Sequence, residues 1–541
     1  MKKKSILIKT ISLIAALAVV FAVSSSAAVF AQNESEEFTK TPFEFVSDIN
    51  VGINIGNTYD VAECWGGPTG WGNPDVTEDL IKSIKAKGFN AIRLPVTWYG
   101  RDGIASAPDY KISSNWMNRV KRIVDWVMDN DMYLIINMHH ENAWLGTLTD
   151  IESDENKALF EKHLDQYKAG WTQIANTFKD YGEKLIFEAH NEVRNGDSWS
   201  GYWEGYQQIR IYNQTFVDTV RATGGNNAKR YLVFKSFAGG LMGDYQFYYD
   251  EKNGLEPTYN PIPNDPANHL IYSFHSYSPG LFCMNQKNQN ASTNVTVFDR
   301  ESFIESAEKT AQRVQKMFME RGIAVIIGEM GCINKDNIDQ RLTHAQTYID
   351  TYSKYGIKCF WWDNGDSKVN NGGSDTSEPF GLVDRKNPSN WTFGNIADVL
   401  VNTGSKYLGM EYQPTYTIPT TEVTTTTKVI TTTEVPTTTK TPTTAASTTV
   451  PTTKSTTVST TEPTTEKPIV YGDLNGDGKI NLLDLISMRK YLAKWNINID
   501  ISAADCNRDE KINLLDLILL RKYLAKWNVV LGVSNAPKVG Y

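Results

Sequence analysis

Two apolar stretches of the chain end in a carboxylate. Leu185 to Phe187 reads as the start of a buried strand, and Asn191 and Glu192 sit where Leu185-Ile-Phe-Glu-Ala-His-Asn-Glu-Val193 would leave it. Ala324-Val-Ile-Ile-Gly-Glu-Met330 has the same design and stays apolar until Glu329. The C-terminal mouth of a parallel strand is where α/β barrels keep their catalysts. Two carboxyl groups facing each other across a cleft are the minimum apparatus for hydrolysing a glycosidic bond, one as acid and one as nucleophile or base. A lone Glu is most often solvated surface; that reading fits poorly here, because both residues close apolar runs. Glu188, inside the same strand, is expected to be a buried partner of Arg93. Glu141 and Asp363 also follow strands and are expected to support the site from behind.

Polar and aromatic groups gather at other strand ends. Arg93 closes Phe89-Asn-Ala-Ile-Arg-Leu-Pro95, His139 and His140 follow Tyr133-Leu-Ile-Ile-Asn-Met138, His275 and Tyr277 follow Leu270-Ile-Tyr-Ser-Phe274, and Trp361 and Trp362 follow Lys358-Cys-Phe360. Each alone has a bland reading: a satisfied core His, a paired Arg, a packed Trp. Together they place cationic, hydrogen-bonding and aromatic groups on one rim. Adjacent histidines also suggest zinc, but consecutive strand residues point to opposite faces, and no third ligand with metal spacing follows.

These residues need a scaffold of alternating strands and helices. Strands are expected at Ile49–Ile55, Phe89–Pro95, Tyr133–Met138, Lys184–His190, Tyr231–Ser236, Leu270–His275, Ala324–Glu329 and Lys358–Trp362. Amphipathic helical spacing covers Asp79–Lys87, Trp116–Asp129, Lys157–Tyr181, Gln207–Ala222, Phe303–Arg321 and His344–Tyr355. Eight strand–helix units predict an α/β fold of the closed (β/α)8 TIM-barrel type. An open doubly wound sheet would show a Gly-rich turn after its first strand; Gly52-Ile-Asn-Ile-Gly56 lies within and at the end of the strand instead.

At 541 residues the chain exceeds one ordinary domain, and its net charge of -8 argues against nucleic acid or an anionic membrane as partner. Its 14 Trp and 26 Tyr fit a surface that stacks on sugar rings as well as they fit a large aromatic core. Residues 1–31 read as an export signal: Lys2, Lys3 and Lys4 precede an apolar Ile11–Val23 and a small-residue cleavage site at Ala31. That apolar run is short for a membrane span, no later segment is long enough, and the mature protein is expected to be extracellular. The five cysteines, Cys64, Cys283, Cys332, Cys359 and Cys506, show no metal-ligand spacing, and no disulfide is expected.

The expected catalytic region spans 32–414. Residues 415–468 are mostly Thr with Pro, too poor in apolar surface to fold, and read as a disordered, extended linker. Residues 469–541 contain a repeat: Asp473-Leu-Asn-Gly-Asp-Gly-Lys-Ile-Asn-Leu-Leu-Asp484 recurs as Asp505-Cys-Asn-Arg-Asp-Glu-Lys-Ile-Asn-Leu-Leu-Asp516. Each copy precedes a Leu-rich helix, which predicts a small all-α module. The loops follow the EF-hand pattern, with Asp at the last position where Glu is usual. The ligands to Ca2+ would be Asp473, Asn475, Asp477, Lys479, Asn481 and Asp484, then Asp505, Asn507, Asp509, Lys511, Asn513 and Asp516, the two lysines serving through their carbonyls. Glu510 stands where the loop usually has Gly and is expected to strain the second turn.

The strand-end set, Asn191-Glu192 and Glu329 backed by Arg93, His139, His275, Tyr277 and Trp362, resembles glycoside hydrolase family 5, most closely its bacterial endoglucanases. Val193 replaces the Pro that usually follows the strand-4 Glu, a departure that touches the loop and not the chemistry. The C-terminal repeat resembles a dockerin, the calcium-dependent module that plugs enzymes into cohesins on a cellulosome scaffold. The resemblance implies a retaining endo-β-1,4-glucanase (cellulase) with Glu192 as proton donor and Glu329 as nucleophile, and no catalytic cofactor. It implies a β-glucan substrate held by Arg93, His139, His140, Asn191, His275, Tyr277, Trp361 and Trp362. Xyloglucan, lichenan, xylan and mannan are the alternative substrates. Trp65, Trp71 and Trp144 are candidate outer platforms, and Leu482, Leu483, Arg489 and Lys490, with Leu514, Leu515, Arg521 and Lys522, would offer two like cohesin faces.

Overall fold

In the computed structural model, the structure describes residues 38–100, 107–151, 153–241, 261–284, 295–371, 377–412, 469–492, 497–509, 511–524 and 530–532. The expected export signal, the Thr/Pro linker, Glu510 and the side chains of Leu482, Arg489, Lys490, Leu514, Leu515, Arg521 and Lys522 lie outside the described residues. The chain divides into two compact units, one ending and one beginning near Thr424.

In the first unit, eight parallel strands close into a barrel in sequence order: β1 Gly52–Asn54, β2 Ala91–Leu94, β3 Tyr133–Asn137, β4 Leu185–Glu188, β5 Leu232–Lys235, β6 Leu270–His275, β7 Ala324–Met330 and β8 Lys358–Trp361. Each expected strand is present; β3, β5 and β8 are shorter by one or two residues, β1, β2 and β4 by three or four, β6 matches, and β7 runs one residue longer. The helix Glu78–Lys87 shows how the intervening elements are bounded. Thr77 accepts from the Leu80 N–H at its start, acids fill its first turn and lysines its last, and Gly88 ends it at φ 106, a left-handed angle that favours Gly. Four α-helices among the described residues were not anticipated, two of which, Gly280–Cys283 and Ile501–Ala504, are single turns. Pro42–Ser47 is short, and Gly394–Ser405 is rich in Gly and Asn and is held by the burial of Ile396, Ala397 and Leu400 more than by propensity.

The pleat sorts side chains into two cores. Ile92, Leu94, Leu134, Ile136, Phe187 and Phe234 face outward to the helices. Ala91, Tyr133, Ile135, Ile186, Val233, Ile271, Ala324, Ile326 and Phe360 fill the barrel interior. The helix Pro42–Ser47 closes the floor, where Phe45 stacks on Tyr231 at 3.7 Å between ring centroids and meets Tyr133 edge-on. Two residues further along six of the eight strands, the inward positions change character. Asn54, Arg93, Asn137, Glu188, Lys235 and Ser273 are all fully or almost fully buried, so the apolar plug is topped by a layer of polar groups.

The second unit packs the helices Leu482–Leu492 and Leu514–Leu524 around Leu474, Met488, Ile499, Ala504, Cys506 and Leu520. All five cysteines of the chain are free. Among the described residues, no helix is long and apolar enough to cross a membrane.

Candidate active site

Arg93 organises the polar layer. Its Nε and Nη2 donate to the two oxygens of Glu188 at 3.0 and 2.6 Å, Nη1 to Glu329 Oε1 at 2.7 Å and to Asn54 Oδ1 at 3.0 Å, and Nη2 to Asn191 Oδ1 at 2.8 Å. Burial works against the charge on Glu188, but Arg93 and Lys235 overcome it and hold this carboxyl down at about 2. Glu188 is thus the buried Arg93 partner expected of it.

Above this layer the chain leaves the strands. Glu192 lies beyond β4 and Glu329 near the end of β7, and an oxygen of each falls within 4.8 Å of the other and of a His275 nitrogen. Tyr277 donates its hydroxyl to Glu329 Oε2 at 2.9 Å, on the side opposite Arg93. His275 Nδ1 lies 2.6 Å from Glu192 Oε1. Burial, and then the neighbouring Glu329, push the Glu192 carboxyl up to about 8, so it keeps its proton at neutral pH. Gly239, at φ +64, gives this pair room: a Cβ there would come 3.2 Å from Glu192 Cγ and 3.3 Å from His275 Nδ1.

The cleft over the pair encloses about 1620 Å³, and Asn191, Glu192, His139, His140, His275, Tyr277, Glu329 and Trp362 all line it. Trp362 lies parallel to the His139 ring, 5.8 Å between centroids. Asn137 fixes the His139 tautomer. Its Oδ1 accepts from Val96 N–H and its Nδ2 donates to Glu188, so Nδ2 also donates to His139 Nδ1 at 3.1 Å and leaves the ring proton on Nε2. Burial, with His140 and Arg93 nearby, keeps that ring neutral.

Four expectations need correction. Arg93 does not reach the substrate: it is fully buried beneath the cleft, does not line it, and acts through the side chains it holds. Trp361 is not in the cleft. Consecutive strand residues face opposite sides, and Trp361 turns outward to the helices, where its indole N–H donates to Phe380 O at 2.9 Å. Trp144 is no platform; it is buried and donates to Glu141 Oε2 at 2.7 Å. His139 and His140 do not point apart, because β3 has already ended at Asn137; their rings meet edge-to-face at 4.4 Å, with Asp60 close enough to complete a three-ligand cluster. The case against a metal there rests instead on His139, whose Nδ1 accepts from Asn137 and whose Nε2 carries the ring proton, so this ring has no lone pair left to complete the set.

Among the outer tryptophans, Trp71 lines the cleft edge-on to His140, and Trp65 is exposed but does not line it. Trp199, which the sequence reading passed over, lines the cleft with 58% of its surface exposed and the Arg194 guanidinium 4.1 Å above its ring. Asn54, Asn137 and Lys235 were also missed; a single polar residue inside each apolar strand was the available signal. Asp363 accepts from Arg385 and from the Leu382 and Val383 amides, and Glu141 from the Trp98 amide, so both brace loops rather than face substrate.

In the second unit, Asp484 accepts from the Leu474, Asn475 and Asn481 amides, and Asp516 likewise from Asn507 and Asn513. Carboxylate oxygens of Asp505, Asp509 and Asp516 lie within 4.8 Å of one another, a hard-oxygen cluster that fits a divalent cation. Arg508 takes φ 57 where the first loop has Gly476 at φ 73.

Comparison with known proteins agrees with this geometry. The model for Cellulase (glycosyl hydrolase family 5) matches residues 55–368, and that for the Dockerin type I domain matches residues 471–525. Endoglucanase B of Clostridium cellulovorans is 41% identical over 351 residues, 64% of this chain and 72% of that protein. Cellulase/esterase CelE of Acetivibrio thermocellus is 35% identical over 457 residues, 83% of this chain but only 46% of that protein, so the chain spans about half of that relative. A solved broad specificity GH5-4 endoglucanase from Ruminococcus champanellensis, with bound cellotriose, is 36% identical with a TM-score of 0.57, over 67% of this chain and 98% of that one. With two strand-end carboxylates facing each other at the mouth of a closed barrel and the family model matching residues 55–368, this chain belongs to glycosyl hydrolase family 5 and is a glycoside hydrolase carrying a C-terminal type I dockerin domain.

Proposed function

We propose that the chain is an exported, retaining endo-β-1,4-glucanase that cuts internal bonds of cellulose and related β-glucans and is held on a cellulosome through its dockerin. The observation that carries this reading is the Glu192–Glu329 pair, one carboxyl holding its proton and the other aimed by Arg93 and Tyr277, within 4.8 Å of each other. An inverting enzyme needs about 6.5–9.5 Å to seat a water between the two; a retaining one needs about 5–5.5 Å.

Glu329 attacks the anomeric carbon as the glycosidic C–O bond breaks, and the departing oxygen takes the proton of Glu192. Glu192, now a carboxylate, accepts a proton from the incoming water, whose oxygen displaces Glu329 from the sugar. Asn191 Oδ1 accepts from Arg93, which leaves the Asn191 amide N–H groups for the sugar 2-hydroxyl. His139 offers Nε2–H to a hydroxyl, and Trp362 supplies a flat floor. The endoglucanase names of relatives from Clostridium cellulovorans and Ruminococcus albus support the glucan substrate.

The test is hydrolysis of carboxymethyl-cellulose, barley β-glucan, xyloglucan, xylan and mannan, with proton NMR of the first-formed product. Cleavage of the glucans with initial β-anomer is expected. Initial α-anomer would refute retention, and activity confined to xylan or mannan would move the substrate within the same chemistry.

The dockerin loops are assigned to Ca2+, with the three clustered carboxylates of the second loop as the donors that most need a compensating cation. EDTA is expected to abolish binding of the full chain to a matched cohesin on a sensor surface, and excess calcium to restore it. Binding that survives EDTA would remove calcium from the account.

A further inference from the structure

Lys235 closes β5 and its side chain is buried inside the barrel. Its ammonium lies 2.9 Å from Glu188 Oε1 and also meets His275 Nε2. An ammonium group has three donors and no acceptor. His275 Nε2 must therefore accept, and a neutral ring must carry its proton on Nδ1. Burial and the nearby Lys235 both keep the ring neutral. That Nδ1–H stands 2.6 Å from Glu192 Oε1 and 3.4 Å from Glu329 Oε2, between the acid and the nucleophile.

We propose that Lys235 is a positioning residue for the reaction: by donating to His275 Nε2 it fixes the one tautomer that can hold Glu192 by an N–H, first as acid and then as base. The inference rests on Glu192 being the acid–base of the proposed function. Without Lys235 the imidazole is free to place its proton on Nε2, and Nδ1 becomes an acceptor that no longer steadies the Glu192 carboxylate.

The surrounding charges point the same way. Arg93 on β2, Glu188 on β4, His275 on β6 and Glu329 on β7 face Lys235, with His139, His190, Glu192 and Tyr277 beyond the strand ends. With Glu192 protonated, Arg93 and Lys235 balance Glu188 and Glu329. Burial, Glu329 and Lys235 act on Glu192 together, the first two raising its proton affinity and Lys235 lowering it. Removing this cation raises that affinity further. The acid is lost as pH rises through its pKa, so the alkaline limb of kcat/KM moves to higher pH.

The test uses the full chain and two aryl β-cellobiosides. A phenyl leaving group needs the proton of Glu192; a 2,4-dinitrophenyl group leaves almost unaided. Lys235→Met is expected to lower kcat/KM on the phenyl substrate by about thirtyfold or more and on the dinitrophenyl substrate by no more than about threefold, within the range that general acid catalysis supplies. Its alkaline limb should lie above that of the wild type. Equal losses on both substrates with an unmoved limb, or no loss at all, would overturn the proposal. If Lys235→Met does not fold, Lys235→Met/Glu188→Gln removes both partner charges; the same split between substrates is expected, and equal losses again overturn it. A wild-type protein inactive on both cellobiosides would instead count against the glucanase reading.

Discussion

Glu329→Gln is expected to lower turnover of any accepted glucan by about four orders of magnitude or more, the scale on which loss of a nucleophile acts, while the fold survives. The amide has the same shape: its oxygen can still accept from Arg93 Nη1, and its NH2 can donate to the Tyr277 hydroxyl oxygen with that contact reversed, so the barrel loses little. What it cannot do is form the glycosyl ester. A carbonyl oxygen at this position is a poor nucleophile, and three nearby buried carboxylates are committed elsewhere: Glu188 is locked below by Arg93 and Lys235, and Glu141 and Asp363 are turned to backbone amides. Steady-state kinetics on barley β-glucan, with circular dichroism as a check on folding, decide the matter. A variant within tenfold of wild type would transfer the nucleophile's role elsewhere.

Arg93→Met should act on stability as strongly as on rate. The side chain is fully buried and makes five hydrogen bonds to four residues, with Glu188 in a two-pronged pair. Methionine fills similar space but leaves Glu188 buried with only Lys235 and Asn137, and frees Asn54, Asn191 and Glu329 together. Stranding one member of a buried ion pair typically costs about 3–5 kcal/mol. Denaturant unfolding of the variant should show a loss of that order, and its activity should be almost absent. Arg93→Lys is expected to recover little of either, because a single ammonium cannot serve a fork of carboxylates and amides. A stability change under about 1 kcal/mol with normal turnover would mean that the polar layer does not depend on its guanidinium.

How far these groups could be read from the sequence depends on where they sit. Glu192 and Glu329 were legible because an apolar run that stops at a carboxylate has few explanations other than a strand end at a cleft. Arg93 and Glu188 were legible as a pair because neither can be buried alone. Lys235 was not, although Tyr-Leu-Val-Phe-Lys-Ser is as apolar around it as any other strand. Nothing in the local pattern says that its cation would meet Glu188 from the neighbouring strand, since that contact is set by barrel closure. Trp361 and Trp362 show the opposite failure: two adjacent aromatics were read as one group, although the pleat can send only one of them to the cleft. His139 and His140 were misread by applying the pleat one turn of chain too far, past the end of β3.

The floor of the barrel has a consequence for how the catalytic unit can be attached to anything else. Phe43, at the start of the N-terminal helix, packs against Tyr412 with ring centroids 5.6 Å apart, and the Gly409 amide donates to Ser47 O at 2.9 Å. Phe45 of the same helix meets Tyr133 and Tyr231, which stand at the N-terminal edges of β3 and β5. Both ends of the described barrel therefore emerge together at the pole opposite the carboxylates. A rigid splice made directly at either described end would start from that pole and not from the rim that carries Glu192 and Glu329.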